Sequence, residues 1–115
     1  MEIPNILQSI PANLDAEVVE TLASAEHIEI ERIVSHGHSS PPEGWYDQPR
    51  DEWVIVLQGH AVIGFEQGED VELKVGNYLN IPAHRRHKVR WTDPAQVTIW
   101  LAIHYGGAIP IPATP

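Results

Sequence analysis

Apolar and polar residues alternate in short runs along most of the chain, which is the pattern of β-strands with one buried face. Glycine-containing turns at Gln58-Gly59 and Gln67-Gly68 separate consecutive runs and are suited to tight hairpins. Many short strands at regular spacing predict an antiparallel sandwich or barrel. The predicted strands are residues 28–35, 52–57, 61–66, 70–75, 78–81, 87–91 and 96–104.

The N-terminal segment shows a different spacing. Leu14, Val18 and Leu22 recur at four-residue steps, and Asp15 can cap a first helical turn. We therefore predict one short amphipathic helix over residues 16–25. This helix would cover an opening or an edge of the β-structure.

These elements divide the chain into three parts. An N-terminal segment with the short helix takes residues 1–27, and the β-barrel takes residues 28–105. Residues 106–115 contain three prolines among their last six positions, and proline removes backbone donors and fixes φ. They predict an irregular C-terminal tail.

The composition is that of an ordinary globular protein, with 43% hydrophobic and 20% charged residues in a chain of 115. One domain with a buried core accounts for this length. No apolar run approaches the roughly 18 residues needed to cross a bilayer, so we expect no membrane segment. The first residues show no basic region followed by an apolar stretch, which predicts a cytoplasmic location. Because the chain has no cysteine, disulfides and thiolate chemistry are excluded.

The formal net charge of −9 limits the classes of partner. Such a surface repels phosphate backbones and anionic lipid, so we expect neither nucleic acid nor a membrane as partner. The sequence contains no glycine-rich phosphate loop and no serine-nucleophile elbow. A small molecule is the expected ligand or substrate.

Two motifs carry the candidate chemistry. Glu52 opens an apolar run that ends at Gly59, and a second motif extends from Gly76 through Pro82 to His87. A carboxylate and an imidazole are both common metal ligands. Their pairing in one predicted barrel indicates a metal or small-molecule site.

These two motifs resemble the signature motifs of the cupin superfamily, in particular small single-domain cupins of the cupin 2 conserved-barrel type. The resemblance covers residues 28–105 and implies an antiparallel jelly-roll β-barrel. In that family the first motif supplies two histidines and a glutamate, and the second supplies a third histidine, around a divalent transition metal. The resemblance assigns the glutamate to Glu52 and the second-motif histidine to His87.

The two first-motif histidines have no simple counterpart. Family spacing places them at Tyr46-Asp47-Gln48, whereas the only His-x-His is His36-Gly37-His38, further upstream. In one register Gln48 keeps a ligand position through its amide oxygen, Tyr46 lines the pocket, and His38 or His36 reaches in from the preceding loop. In the other register, His36 and His38 are the paired ligands. The first needs no gap before Glu52, so we predict a metal site of His38, Gln48, Glu52 and His87.

The remaining candidates surround these ligands. His36 and His84 are alternative ligands or outer partners of the site. Trp45 and Tyr46 lie in a loop rich in proline and glycine, and Trp91 shares a predicted strand face with His87. The predicted pocket residues are Trp45, Tyr46, Arg86 and Trp91.

The resemblance leaves two functions open. The first is a metal-dependent cupin, dioxygenase-like or isomerase-like, that acts on a small organic molecule through iron, manganese, nickel, zinc or copper. The second is a cupin that binds or senses a small ligand without turnover, either with a metal or without one. Cupin barrels of this size often form homodimers, so the resemblance implies a homodimer.

Overall fold

Eight β-strands build the protein in a computed structural model that describes residues 1–106. The predicted barrel strands are confirmed, most of them with one or two residues added or lost at an end. No helix in residues 1–106 is long and apolar enough to cross a membrane. The strands are β1 (Val18–Ala25), β2 (Ile28–Ser35), β3 (Asp51–Gln58), β4 (His60–Phe65), β5 (Val71–Lys74), β6 (Tyr78–Ile81), β7 (His87–Thr92) and β8 (Thr98–Tyr105).

Two antiparallel sheets share these strands. The larger sheet has the order β1-β2-β8-β3-β6, and the smaller one has the order β5-β4-β7. Strand β3 lies between β8 and β6 in the larger sheet. Its inward residues Val54 and Val56 pack in the core with residues of the smaller sheet. The predicted all-β antiparallel architecture is confirmed, and the predicted tail beyond residue 106 lies outside the described residues.

The predicted N-terminal helix is wrong, because Val18–Ala25 forms strand β1 instead. This strand pairs with β2 from Val18 opposite Val34 to Ala25 opposite Ile28. Residues four apart share a face in a strand as well as in a helix, so the spacing could not separate the two. Val18, Val19 and Thr21 are β-branched and favour the strand, and pairing with β2 satisfies the backbone groups on one side of it.

The hydrophobic core lies between the two sheets. It is formed by alternate residues of strands in both sheets, because successive side chains of a strand point to opposite faces. All of its members are at most 4% exposed. They are Val54, Val56, Ala61, Ile63, Phe65, Leu73, Ile81 and Trp100.

A buried arginine holds the N-terminal segment against the larger sheet. Arg32 in β2 is 5% exposed, and its guanidinium donates to the Glu20 carboxylate and to the carbonyls of Ile6, Gln8 and Ser9. Hydrogen bonds to a charged donor are stronger than neutral ones. One side chain therefore fixes a segment that has no regular structure of its own.

Gly59 provides a test of the turn between β3 and β4. Its φ is +94°, and an added Cβ would lie 2.6 Å from the Thr98 Cα. Gly76 has a similar φ of +88° but no atom within 4 Å of such a Cβ. We expect Gly76→Ala to cost about 1–2 kcal/mol for its backbone conformation alone, and Gly59→Ala about 2 kcal/mol more for the clash. Urea denaturation of both variants measures the difference, and equal losses would contradict the packing around Gly59.

Candidate functional site

A cavity of about 220 Å³ opens between the two sheets. Its walls combine aliphatic side chains with a few polar groups, which is the usual composition of a small-molecule site. The polar lining residues come from the residue before β1, from β2, β3, β7 and β8, and from the loop before β3. The lining consists of Glu17, Val19, Glu31, Ile33, Tyr46, Gln48, Glu52, Val54, Ile63, Ile81, His87, Val89, Trp100 and His104.

The pair predicted from the two motifs, Glu52 and His87, meets inside this cavity. Glu52 lies on the inward face of β3, two residues before the buried Val54. His87 begins β7, and its backbone exchanges hydrogen bonds with Tyr46. The His87 Nε2 lies 3.4 Å from the Glu52 Oε1, and both side chains are nearly buried.

Two opposing effects set the pKa of His87. Burial is the largest and favours the neutral ring, but hydrogen bonds to Glu52 and to the Arg85 carbonyl favour the imidazolium. Together with the charge of Glu52 they raise the pKa of His87 above its ordinary value. The His87 Nδ1 donates to the Arg85 carbonyl at 2.8 Å, which leaves Nε2 directed at Glu52. A fixed Nδ1 proton is the usual arrangement of a histidine that uses Nε2 as a ligand.

Gln48 brings a third polar group to the cavity. Its backbone carbonyl accepts a hydrogen bond from the His84 N–H at 2.8 Å, which holds the loop beside the second motif. Its side-chain Oε1 is buried and has no hydrogen-bond donor among residues 1–106. Leaving such an acceptor unpaired costs about 1–3 kcal/mol, so this oxygen is suited to a bound cation or donor.

A second acid–imidazole pair lines the same cavity and was not among the predicted site residues. His104 of β8 lies opposite Glu52 in the sheet, and its Nε2 is 2.9 Å from the Glu31 Oε1 of β2. Alternation along β8 places His104 on the same face as the buried Trp100 and Ala102. That alternation was the available signal, but only the strand order β2-β8-β3 shows that Glu31 and Glu52 flank His104.

The environment of Glu31 differs from that of a surface carboxylate. Burial has the largest effect on it and raises its pKa, and the hydrogen bond with Glu29 acts in the same direction. The contact with His104 lowers the pKa but does not outweigh them. The result is a carboxyl group whose pKa lies above its ordinary value beside the cavity.

The upstream histidines do not line the cavity. The His38 Nδ1 accepts a hydrogen bond from the His36 N–H at 2.9 Å, and the His38 carbonyl accepts one from the Thr92 hydroxyl. His36 is exposed. The first of the two registers placed Tyr46 and Gln48 at the pocket, and both residues line the cavity. The histidine that this register expected from the preceding loop does not reach it.

Three other predicted residues also lie outside the cavity. His84 is exposed, with a positive φ of 65°, and pairs with Asp47 at 2.7 Å. Arg86 pairs with Glu66 on the surface at 3.1 Å. Trp45 packs beneath the Lys88 amine, which lies 4.6 Å from its ring centroid.

A strand irregularity explains the position of Trp91. Ile63 of β4 pairs with Val89, but the preceding Val62 pairs with Trp91, so Arg90 is an extra residue in β7. One extra residue reverses which face the following side chains occupy. Trp91 is therefore 39% exposed and packs edge-on against His60, whereas Val89 lines the cavity.

The donor set of the cavity fits a divalent transition ion only if the amide of Gln48 takes part. In residues 1–106, no three histidine, aspartate or glutamate side chains are grouped closely enough to hold a metal. Glu52 and His87 supply a carboxylate and an imidazole, and the unpaired Gln48 Oε1 supplies a third donor. Imidazole with oxygen donors is a set that such ions accept.

Comparison with known proteins agrees with this architecture. The family described as Cupin domain matches residues 30–104. A solved structure from Ralstonia eutropha JMP134, described as a candidate mannose-6-phosphate isomerase, is 39% identical with a TM-score of 0.87. The match covers 93% of this chain and 100% of that one. No curated protein matches the chain.

Two further structures are similar over most of their length. A cupin superfamily protein from Desulfitobacterium hafniense DCB-2 is 25% identical with a TM-score of 0.72, covering 91% of this chain and 92% of its own. An RmlC-like cupin from Methanocaldococcus jannaschii, with a double-stranded β-helix fold, is 20% identical with a TM-score of 0.67, covering 86% and 88%. Since the family match spans well over half of the sequence, the chain belongs to the cupin family.

Proposed function

We propose that the protein binds a divalent transition ion through Gln48, Glu52 and His87, and that it acts on a small organic molecule beside this ion. The observation that carries the proposal is the buried Gln48 Oε1, which has no donor of its own. It lines the same cavity as the carboxylate and the imidazole. A cation among these three groups would satisfy all of them.

Each residue has a separate task in this proposal. Glu52 contributes the negative charge, and His87 is oriented by the bond from its Nδ1 to the Arg85 carbonyl. The backbone bond from His84 to Gln48 and the backbone bridge between Tyr46 and His87 keep the loop in place. The site is thus held by main-chain contacts as well as by side chains.

The cavity determines what kind of molecule fits beside these groups. Val54, Ile63, Ile81 and Val89 add an aliphatic lining to the polar residues. Its volume of about 220 Å³ is below the range of about 300–1,000 Å³ for drug-sized ligands, which suits a smaller molecule. A divalent ion there would supply a Lewis acid that polarises an oxygen atom of such a molecule.

Isomerisation is the reaction class favoured by the comparisons. The related protein from Ralstonia eutropha is described as a candidate isomerase. The His104–Glu31 pair lines the cavity outside the proposed ligand set and could hold or move a proton. Binding without turnover is the alternative: it predicts a rise in melting temperature with a ligand that is recovered unchanged.

Metal content gives the direct test. Protein expressed in metal-supplemented medium should retain about one equivalent of a transition ion per chain, measured by plasma mass spectrometry. A Gln48→His variant should bind the ion roughly tenfold more tightly, because imidazole is a better ligand than an amide oxygen for these ions. Competition with a chelator measures the affinity. A stoichiometry near zero in both proteins would reject the metal site.

We also propose that the protein forms a homodimer. Strand β1 is at the edge of the larger sheet, and its Val19 and Leu22 are about half exposed. Leu7 in the preceding segment is exposed to a similar degree. An unpaired strand edge beside apolar side chains favours pairing with a second chain. Light scattering after size exclusion should give twice the mass of one chain, and a monomer at micromolar concentration would contradict this.

A further inference from the structure

The charge of the cavity limits its ligand. Three carboxylates line it, from Glu17, Glu31 and Glu52, and neither lysine nor arginine does. Glu31 pairs with His104 and Glu52 with His87, while Glu17 accepts a hydrogen bond from the Ser35 hydroxyl. Among the carboxylates and a bound divalent ion alone, three negative charges meet two positive ones. An anionic group would therefore meet repulsion here.

The cationic side chains are engaged elsewhere. Arg32 holds the N-terminal segment, and Lys88 donates to the carbonyls of Pro41 and Pro42. Lys74, Arg86 and Arg90 face carboxylates on the surface, and Arg85 lies over the Phe65 ring. Six of the seven basic residues thus have partners outside the cavity.

The seventh basic residue, Arg50, lies in a separate and more open depression. That depression is also lined by Glu29 and Glu31, so its carboxylates outnumber its single guanidinium. It shares Glu31, Gln48 and His104 with the cavity. A phosphate bound at Arg50 would lie beside the carboxylates of Glu29 and Glu31.

A second unpaired polar atom indicates what the ligand carries. The indole Nε1 of Trp100 is buried with no hydrogen-bond acceptor in the described part of the chain, and Trp100 lines the cavity. The indole N–H can only donate, so its partner must be an acceptor. A hydroxyl or carbonyl oxygen of a ligand supplies one without bringing a negative charge.

From these observations we infer that the cavity selects a small uncharged molecule with hydroxyl or carbonyl oxygens, such as a free sugar or polyol, and excludes the corresponding phosphate ester. The inference rests on the proposed small-molecule function and specifies its substrate class. The inferred ligand differs from the substrate in the name of the Ralstonia eutropha relative, which is a sugar phosphate.

Matched pairs of compounds test this selection. D-mannose and D-mannose 6-phosphate, D-fructose and D-fructose 6-phosphate, and glycerol and glycerol 3-phosphate differ only in the phosphate. Saturation-transfer NMR with the metal-loaded protein should show binding of at least one uncharged member, at least tenfold tighter than its phosphate ester. Tighter binding of any phosphate ester, displacement of the sugar by inorganic phosphate, or binding of no uncharged member would overturn the inference.

Trp100→Phe tests the role of the indole N–H. It removes the donor while keeping an aromatic ring, and should lower the affinity for the uncharged ligand by about tenfold. Trp91→Phe is the matched control, because Trp91 lies outside the cavity, and it should bind the ligand as the wild type does. Equal ligand affinity of Trp100→Phe and Trp91→Phe would refute a hydrogen bond from the Trp100 indole N–H to the ligand. Should Trp100→Phe not fold, the compound pairs decide the matter with wild-type protein.

The same measurements distinguish two kinds of failure. If a phosphate ester binds best and metal is retained, the proposed function stands and the inferred selectivity is wrong. If neither metal nor any compound binds, the proposed function itself is wrong. Metal content is measured independently of the compounds, so the two results cannot be confused.

Discussion

Glu52→Gln is expected to lower the affinity for a divalent transition ion by more than about 100-fold, because loss of an outer partner of a metal ligand already costs about 10–100-fold. The substitution removes the only carboxylate of the proposed ligand set. It keeps the volume of the side chain and an oxygen that can accept from His87, which lies 3.4 Å away. The fold should therefore persist, as circular dichroism can show, while chelator competition measures the affinity.

His38→Ala is the matched control for this experiment. His38 was a predicted ligand, but its ring bonds to the His36 N–H and does not line the cavity. Its replacement should leave metal affinity unchanged, whereas His87→Ala should lose the ion as Glu52→Gln does. If Glu52→Gln retained wild-type affinity, or if His38→Ala lost the ion, the site of Gln48, Glu52 and His87 would be rejected.

Arg32→Met is expected to reduce the free energy of unfolding by about 3 kcal/mol. The guanidinium is buried, and it bonds Glu20 together with the carbonyls of Ile6, Gln8 and Ser9. Methionine fills a similar space but donates nothing. The loss should be accompanied by faster hydrogen exchange in residues 5–10, because their attachment to the sheet is removed.

Arg86→Met provides the comparison for Arg32. Arg86 forms an ion pair with Glu66, but its side chain is 48% exposed, and such pairs contribute about 0–1 kcal/mol. Urea denaturation should therefore separate the two variants by about 2 kcal/mol or more. Equal losses, or unchanged exchange of the N-terminal amides in Arg32→Met, would show that the segment is held by other contacts.

The barrel could be read from the sequence because alternation and glycine turns are local signals. Strands β2 to β8 follow from residue spacing alone, and Ile28–Ser35 and Tyr78–Ile81 have the predicted bounds. Strand β1 could not be recognised in this way, since residues with the spacing of Val18 and Leu22 share a face both in a helix and in a regular strand. What decides between the two is the pairing with β2, a contact made by tertiary structure.

The residues of the candidate site also fall into those that the sequence could predict and those that depend on tertiary structure. Glu52 and His87 could be predicted as site residues from the sequence because each lies at a fixed place in a motif. The pairing of His104 with Glu31 depends on the order of three strands that are distant in the sequence. The orientation of Trp91 depends on one extra residue, Arg90, in β7. Neither feature leaves a pattern in the sequence that spacing could detect.

Strand β1 gives the cavity a property that a closed barrel would lack. Val19 of β1 and Glu17, just before the strand, form part of the cavity wall, although within residues 1–106 of one chain β1 is the edge of its sheet and pairs only with β2. Edge elements open locally at a lower free energy than central strands do. A ligand that needs the complete wall must therefore hold β1 in place, so ligand affinity and the ordering of the first 25 residues are thermodynamically linked. Any change that loosens the N-terminus would lower affinity without touching the ligand.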